Sequence, residues 1–118
     1  ADMEGITLMS NPDSRFNANY WLCTILIDKE LTGFDYEELR VALDTKGIET
    51  RPLWKPMHLQ PVFKNNPCYI DGTSEKLFNK GLCIPAGPCV TDEDVAYIVN
   101  EIKKLIKKKQ GEKLLADI

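Results

Sequence analysis

A chain of 118 residues sets the scale at one domain with one modest hydrophobic core. Hydrophobic residues make up 43% and charged residues 28%, the balance of an ordinary globular protein and not of a disordered one. A formal net charge of -3 argues against nucleic-acid binding by the molecule as a whole, and no apolar run approaches the ~20 residues that span a bilayer. The N-terminal residues lack the basic-then-apolar pattern of a secretory signal. The four cysteines, Cys23, Cys68, Cys83 and Cys89, form no Cys-x-x-Cys pair, and there is a single histidine, so the zinc-site pattern is missing. Cys23 and Cys83 lie in apolar runs, where a reduced cysteine packs as a small hydrophobe. The expectation is a reduced, cytoplasmic protein with no membrane and no nucleic acid among its partners.

In chain order, residues 6–9 read as a short edge strand ended by the turn cluster Asn11-Pro12-Asp13-Ser14. Residues 20–28 carry the strongest strand signal. Trp21, Cys23, Ile25 and Ile27 alternate with Tyr20, Leu22 and Leu26, so both faces are apolar and the strand should be central. Thr32-Gly33 breaks the chain. Asp35 is placed to cap a helix, with Glu37 and Glu38 in its first turn, Tyr36, Leu39, Ala42 and Leu43 at helical spacing, and Gly47 as its stop. Residues 48–51 then read as a second strand, completing a small strand-helix-strand unit.

The next stretch is unusual. Residues 51–63 carry Pro52, Pro56 and Pro61, which no ordinary helix or central strand accommodates. Yet the same residues include Leu53, Trp54, Met57, Leu59, Val62 and Phe63. Loops are normally polar. A loop this apolar either lies on a core as an ordered connection, or is covered by something outside this chain. It also holds Arg51, Lys55 and His58. Cations beside aromatic side chains suit an anionic ligand with a flat or ring-shaped part. A lone histidine beside a tryptophan also fits a purely structural hydrogen-bonding role.

Beyond the loop, Asn65-Asn66-Pro67 and Asp71-Gly72 are turns. Ser74 is placed to cap a short helix reaching Lys80, and Leu82-Cys83-Ile84-Pro85 reads as a buried strand. Thr91 and Asp94 approximate a capping box at the start of the last helix, whose apolar stripe runs through Val95, Ile98, Val99, Ile102, Leu105 and Ile106. The lysines at positions 103, 104 and 107–109 crowd its C-terminal end, where cations oppose the negative pole of the helix dipole. The sum is an α+β domain: a small, mostly antiparallel sheet of three or four strands, with two or three helices packed mainly on one face. Residues 1–16 read as a linker or edge strand from an upstream domain, 17–109 as the folded unit and 110–118 as a flexible tail.

Two runs carry a specific resemblance. They are Asn19-Tyr20-Trp21-Leu22 and, above all, Gly47-Ile48-Glu49-Thr50-Arg51-Pro52-Leu53-Trp54-Lys55-Pro56-Met57-His58-Leu59-Gln60-Pro61-Val62-Phe63. With Gly81-Leu82-Cys83-Ile84-Pro85 and Thr91-Asp92-Glu93, they resemble the C-terminal small domain of the DegT/DnrJ/StrS sugar aminotransferases, pyridoxal-phosphate enzymes of fold type I. The resemblance implies a parent enzyme, a homodimer, that transfers an amino group, usually from glutamate, to a nucleotide-linked keto-sugar. It also implies that the Schiff-base lysine and the rest of the cofactor site belong to a large domain with no counterpart here. No cofactor is expected on this chain by itself, and no catalytic residue is assigned to it. By the same resemblance Arg51, Trp54, Lys55, His58 and Gln60 touch the substrate. The competing readings are a free-standing ferredoxin-like regulatory or ligand-binding domain and a protein-protein adaptor using the apolar loop.

Overall fold

A computed structural model describes residues 3–116; Ala1, Asp2, Asp117 and Ile118 lie outside the described residues. Four strands form one antiparallel sheet in the order β1-β2-β4-β3: β1 Ile6–Leu8, β2 Cys23–Ile27, β3 Arg51–Pro52 and β4 Gly81–Ile84. Four helices accompany it: α1 Lys29–Thr32, α2 Tyr36–Asp44, α3 Thr73–Phe78 and α4 Asp92–Ala116. This is the α+β architecture anticipated from the sequence, with β2 central and β1 at an edge.

The register places Ile25 opposite both Leu8 and Leu82, and Cys83 opposite both Thr24 and Arg51. Side chains alternate across a sheet, so Ile25, Ile27 and Leu82 share one face. That face is sealed. With Phe34, Leu39, Leu43, Ile48, Ile98, Ile102 and Ile106 they form a single buried cluster under α2 and α4. β2 and β3 both run antiparallel to β4, so they are parallel to each other with β4 inserted between them. The strand-helix-strand unit is therefore split, a layout shared with ferredoxin-like folds.

Local chemistry explains the boundaries. β2 starts at Cys23, later than the sequence suggests. Asn19 Oδ1 accepts the Trp21 N–H at 3.1 Å and Tyr20 adopts φ 51, a left-handed conformation that interrupts extension. The capping box of α2 is complete: the Glu37 and Glu38 N–H groups donate to Asp35 Oδ1, and the Asp35 N–H donates to Glu38 Oε2. Gly47, at φ 72, lies in the turn just beyond that helix. The Thr91–Asp94 box also forms, with the Thr91 N–H donating to Asp94 Oδ2 at 2.9 Å and the Asp94 N–H to Thr91 Oγ1 at 3.2 Å.

Three local expectations are corrected. The short helix α1 forms where only a break is legible, because Asp28 caps it by accepting the Glu30 N–H. Ser74 lies inside α3 and does not cap it; Gly72 stands at the cap position, and Asp71 Oδ1 accepts the Thr73 N–H. Residues 110–116, read as tail, continue α4 to Ala116. No helix among the described residues is long and apolar enough to cross a membrane.

Candidate functional site

β3 is only Arg51–Pro52 because the prolines that follow cannot extend the ladder. The chain then turns through two successive 3-10 segments, Met57–Leu59 and Pro61–Phe63. Backbone bonds from Leu59 N–H to the Pro56 carbonyl and from Phe63 N–H to the Gln60 carbonyl, each 3.0 Å, hold this shape. Pro56 is buried and anchors the loop, while Leu53, His58 and Phe63 are half-buried. The other large apolar side chains face outward: Trp54 is 70% exposed and Val62 76%, with Met57 also bare.

Beside the loop lies a concavity of about 790 Å³. Its walls are residues 49–55, Trp21 and Leu22 before β2, Phe78 at the end of α3, Cys83 and Ile84 of β4, and the following Pro85 and Ala86. Three of the five residues singled out from the sequence, Arg51, Trp54 and Lys55, line it together. Arg51 is engaged by Glu49 in a surface ion pair, and Lys55 makes no ion pair among the described residues. Thr50 is 7% exposed, and its hydroxyl has no hydrogen-bond partner among the described residues. A buried, unsatisfied hydroxyl costs about 1–3 kcal/mol.

The structure does not bring His58 and Gln60 to the walls of this cavity. The Gln60 Nε2 amide donates to the Lys55 carbonyl at 2.9 Å and ties the loop to itself. The His58 side chain is 14% exposed, with Nε2 at 3.6 Å from Glu75 Oε2 on α3. That separation is just beyond hydrogen-bond reach, which leaves His58 Nε2 without a partner among the described residues. Sequence reasoning missed Glu49, Thr50, Phe78 and the Cys83–Ala86 wall. Glu49 and Thr50 adjoin Arg51 in sequence, Phe78 arrives on α3, and the Cys83–Ala86 wall arrives through the pairing of β3 with β4, which no local pattern reports.

A covalently held pyridoxal phosphate needs a lysine amine whose pKa is lowered by burial or a cationic neighbour. None of the lysines among the described residues is buried, and Lys55 at the cavity is exposed. The residues present do not fit the anchor of that cofactor. Among the described residues no group of three or more His, Cys, Asp or Glu is disposed to hold a metal ion.

Comparison with known proteins fixes the family. The sequence pattern of the DegT/DnrJ/EryC1/StrS aminotransferase family matches residues 1–103. The chain belongs to that family. It is 31% identical over 105 residues to EpsN of Bacillus subtilis (strain 168), whose name places it among pyridoxal phosphate-dependent aminotransferases; the match covers 86% of this chain and 26% of EpsN. It is 33% identical over 90 residues to the GDP-perosamine synthase of Escherichia coli O157:H7, covering 76% of this chain and 24% of that enzyme. In three dimensions it resembles DesI, solved in the presence of its TDP-sugar product, with a TM-score of 0.78 at 23% identity, over 99% of this chain and 29% of DesI. The chain thus spans about a quarter of the length of the curated family members it matches. Membership favours the aminotransferase reading over the ferredoxin-like module, which the sheet topology does not separate from it.

Proposed function

We propose that this chain forms the substrate-side wall of a sugar aminotransferase that moves an amino group from glutamate to a nucleotide-linked keto-sugar. The large domain that holds pyridoxal phosphate is a separate part of the enzyme, which works as a cytoplasmic homodimer, and residues 1–16 lead from that domain. The cofactor supplies the electron sink for the transfer. This chain's own residues bind and orient. Arg51 and Lys55 supply positive charge to the diphosphate, with Arg51 exchanging Glu49 for phosphate oxygens. Trp54 offers a flat apolar face to a ring. Gln60 acts one step back, by tying the loop to the Lys55 carbonyl, and His58 stands behind it beside Glu75 of α3.

The observation that carries this reading is the bare, aromatic and cationic wall around the 790 Å³ concavity, in a chain that matches a quarter of its relatives. An exposed apolar surface of this kind marks a binding or docking site. The test is a titration of the chain with GDP-, UDP- and dTDP-linked sugars, followed by nuclear magnetic resonance. At least one of them should shift the Trp54 indole N–H and the Lys55 amide while leaving the Ile102 methyl groups unmoved. A Trp54 signal unmoved by all three at millimolar concentration would remove the loop from the substrate site.

A further inference from the structure

Gly81, the first residue of β4, is buried, and its φ lies outside the left-handed region. Conformational freedom is therefore not the reason for glycine here. Space is. A Cβ at this position would overlap Leu53 Cδ1, lie 2.6 Å from Leu53 Cγ, and lie 2.8 Å from the carbonyl oxygen of Leu77. Gly81 alternates with Leu82, so the absent side chain would point away from the sealed core, into the space that Leu53 occupies. Gly81 cannot retreat from Leu53. It pairs with Leu26 of β2, and the neighbouring Lys80 carbonyl accepts the Ile27 N–H at 2.8 Å.

We propose that Gly81 is a positioning residue. The missing side chain is a socket that seats Leu53, and through Leu53 it sets where Trp54 and Lys55 stand at the mouth of the cavity. The same socket meets the Leu77 carbonyl, so it also sets Phe78, the next residue and part of the cavity wall. A methyl group placed there displaces the loop and α3, because the strand is pinned by its ladder. The consequence for substrate rests on the proposed function; the socket itself does not.

The test uses Trp21→Phe, which leaves Trp54 as the sole tryptophan of the 118-residue chain. In that background Gly81→Ala should lower Tm by about 5 °C or more, as overpacking does in a domain of this size. It should also move the Trp54 indole N–H resonance while the Ile102 methyl groups stay in place. Leu53→Ala removes the Leu53 atoms of the collision and leaves the Leu77 carbonyl in place. Added to it, Gly81→Ala should cost less than its former drop in Tm, the remainder coming from the Leu77 carbonyl. Leu53→Ala by itself should move the Trp54 resonance with Gly81 intact, a readout that stands even if Gly81→Ala fails to fold. A Trp54 resonance indifferent to Leu53→Ala, or an equal drop in Tm with and without Leu53, overturns the proposal. None of these readouts needs a substrate. A wild-type chain that ignores every nucleotide sugar would sink the proposed function and leave the socket standing.

Discussion

The helix-covered side of the sheet and the proline loop are built from equally apolar residues and end in opposite states. On the first, Ile25, Leu39, Leu82 and Ile102 interlock with almost no exposed surface. On the second, Trp54, Met57 and Val62 stand in solvent, and Trp54 lines a concavity. The difference is not composition but backbone. A helix or strand repeats, so its apolar side chains share one face and can be buried together. A chain bent by Pro52, Pro56 and Pro61 points its side chains in several directions. It cannot bury them all against one neighbour, so the surface it leaves over is available for something else.

The largest effect that sharpens this contrast is expected in the core. Ile102 is 1% exposed, so Ile102→Ala should cost about 2–5 kcal/mol in chemical denaturation, without moving the Trp54 signal. A loss of less than 1 kcal/mol would mean that the helix side is not the stable half.

Next comes the cap that starts α2. Asp35→Ala should cost about 1 kcal/mol. The Asp35 carboxyl is held below its ordinary value of 3.8, first by the hydrogen bond from the Lys29 ammonium and then by the Glu38 backbone N–H. A depressed folded-state pKa stabilises the fold above the unfolded value and loses that contribution as pH falls through the folded value. Tm should therefore decline below about pH 4, and Asp35→Asn should flatten that decline. An acid limb identical in the two proteins would remove Asp35 as its source.

A smaller effect of opposite sign belongs to Thr50. Replacing its partnerless hydroxyl in Thr50→Val should be neutral or stabilising by about 1 kcal/mol. A clear loss of Tm would show that the hydroxyl has a partner after all. Smallest of all is Val62→Ser on the bare loop, expected within ~0.5 kcal/mol of the parent protein. A larger loss would mean that Val62 packs within the domain.

What the sequence discloses follows the same division. Asp35 with Glu38, and Thr91 with Asp94, announce helix starts because each box closes within three residues. The irregular, apolar character of the loop is legible too, from three prolines and a run of large apolar residues, but the sequence leaves open whether it lies on a core or stands bare. The site is legible only in part. Arg51, Trp54 and Lys55 stand together because they are close in sequence. Cys83 and Pro85 join them through the pairing of β3 with β4, across the whole loop and α3. His58 and Gln60 look like ligands from their neighbours in the motif. The structure turns one toward Glu75 and the other toward the Lys55 carbonyl, contacts that depend on how the loop folds back. The length of α4 is missed because Gly111 and an uncapped end resemble fraying, while Lys108 and Lys109 each approach Glu112 across that stretch.

The central claim, that the proline loop is an uncovered wall, is tested most directly by acrylamide quenching of Trp54 in the Trp21→Phe chain. Quenching close to that of a free indole, with red-shifted emission, is the predicted result. A shielded, blue-shifted Trp54 would contradict it, because the loop would then be covered by its own domain.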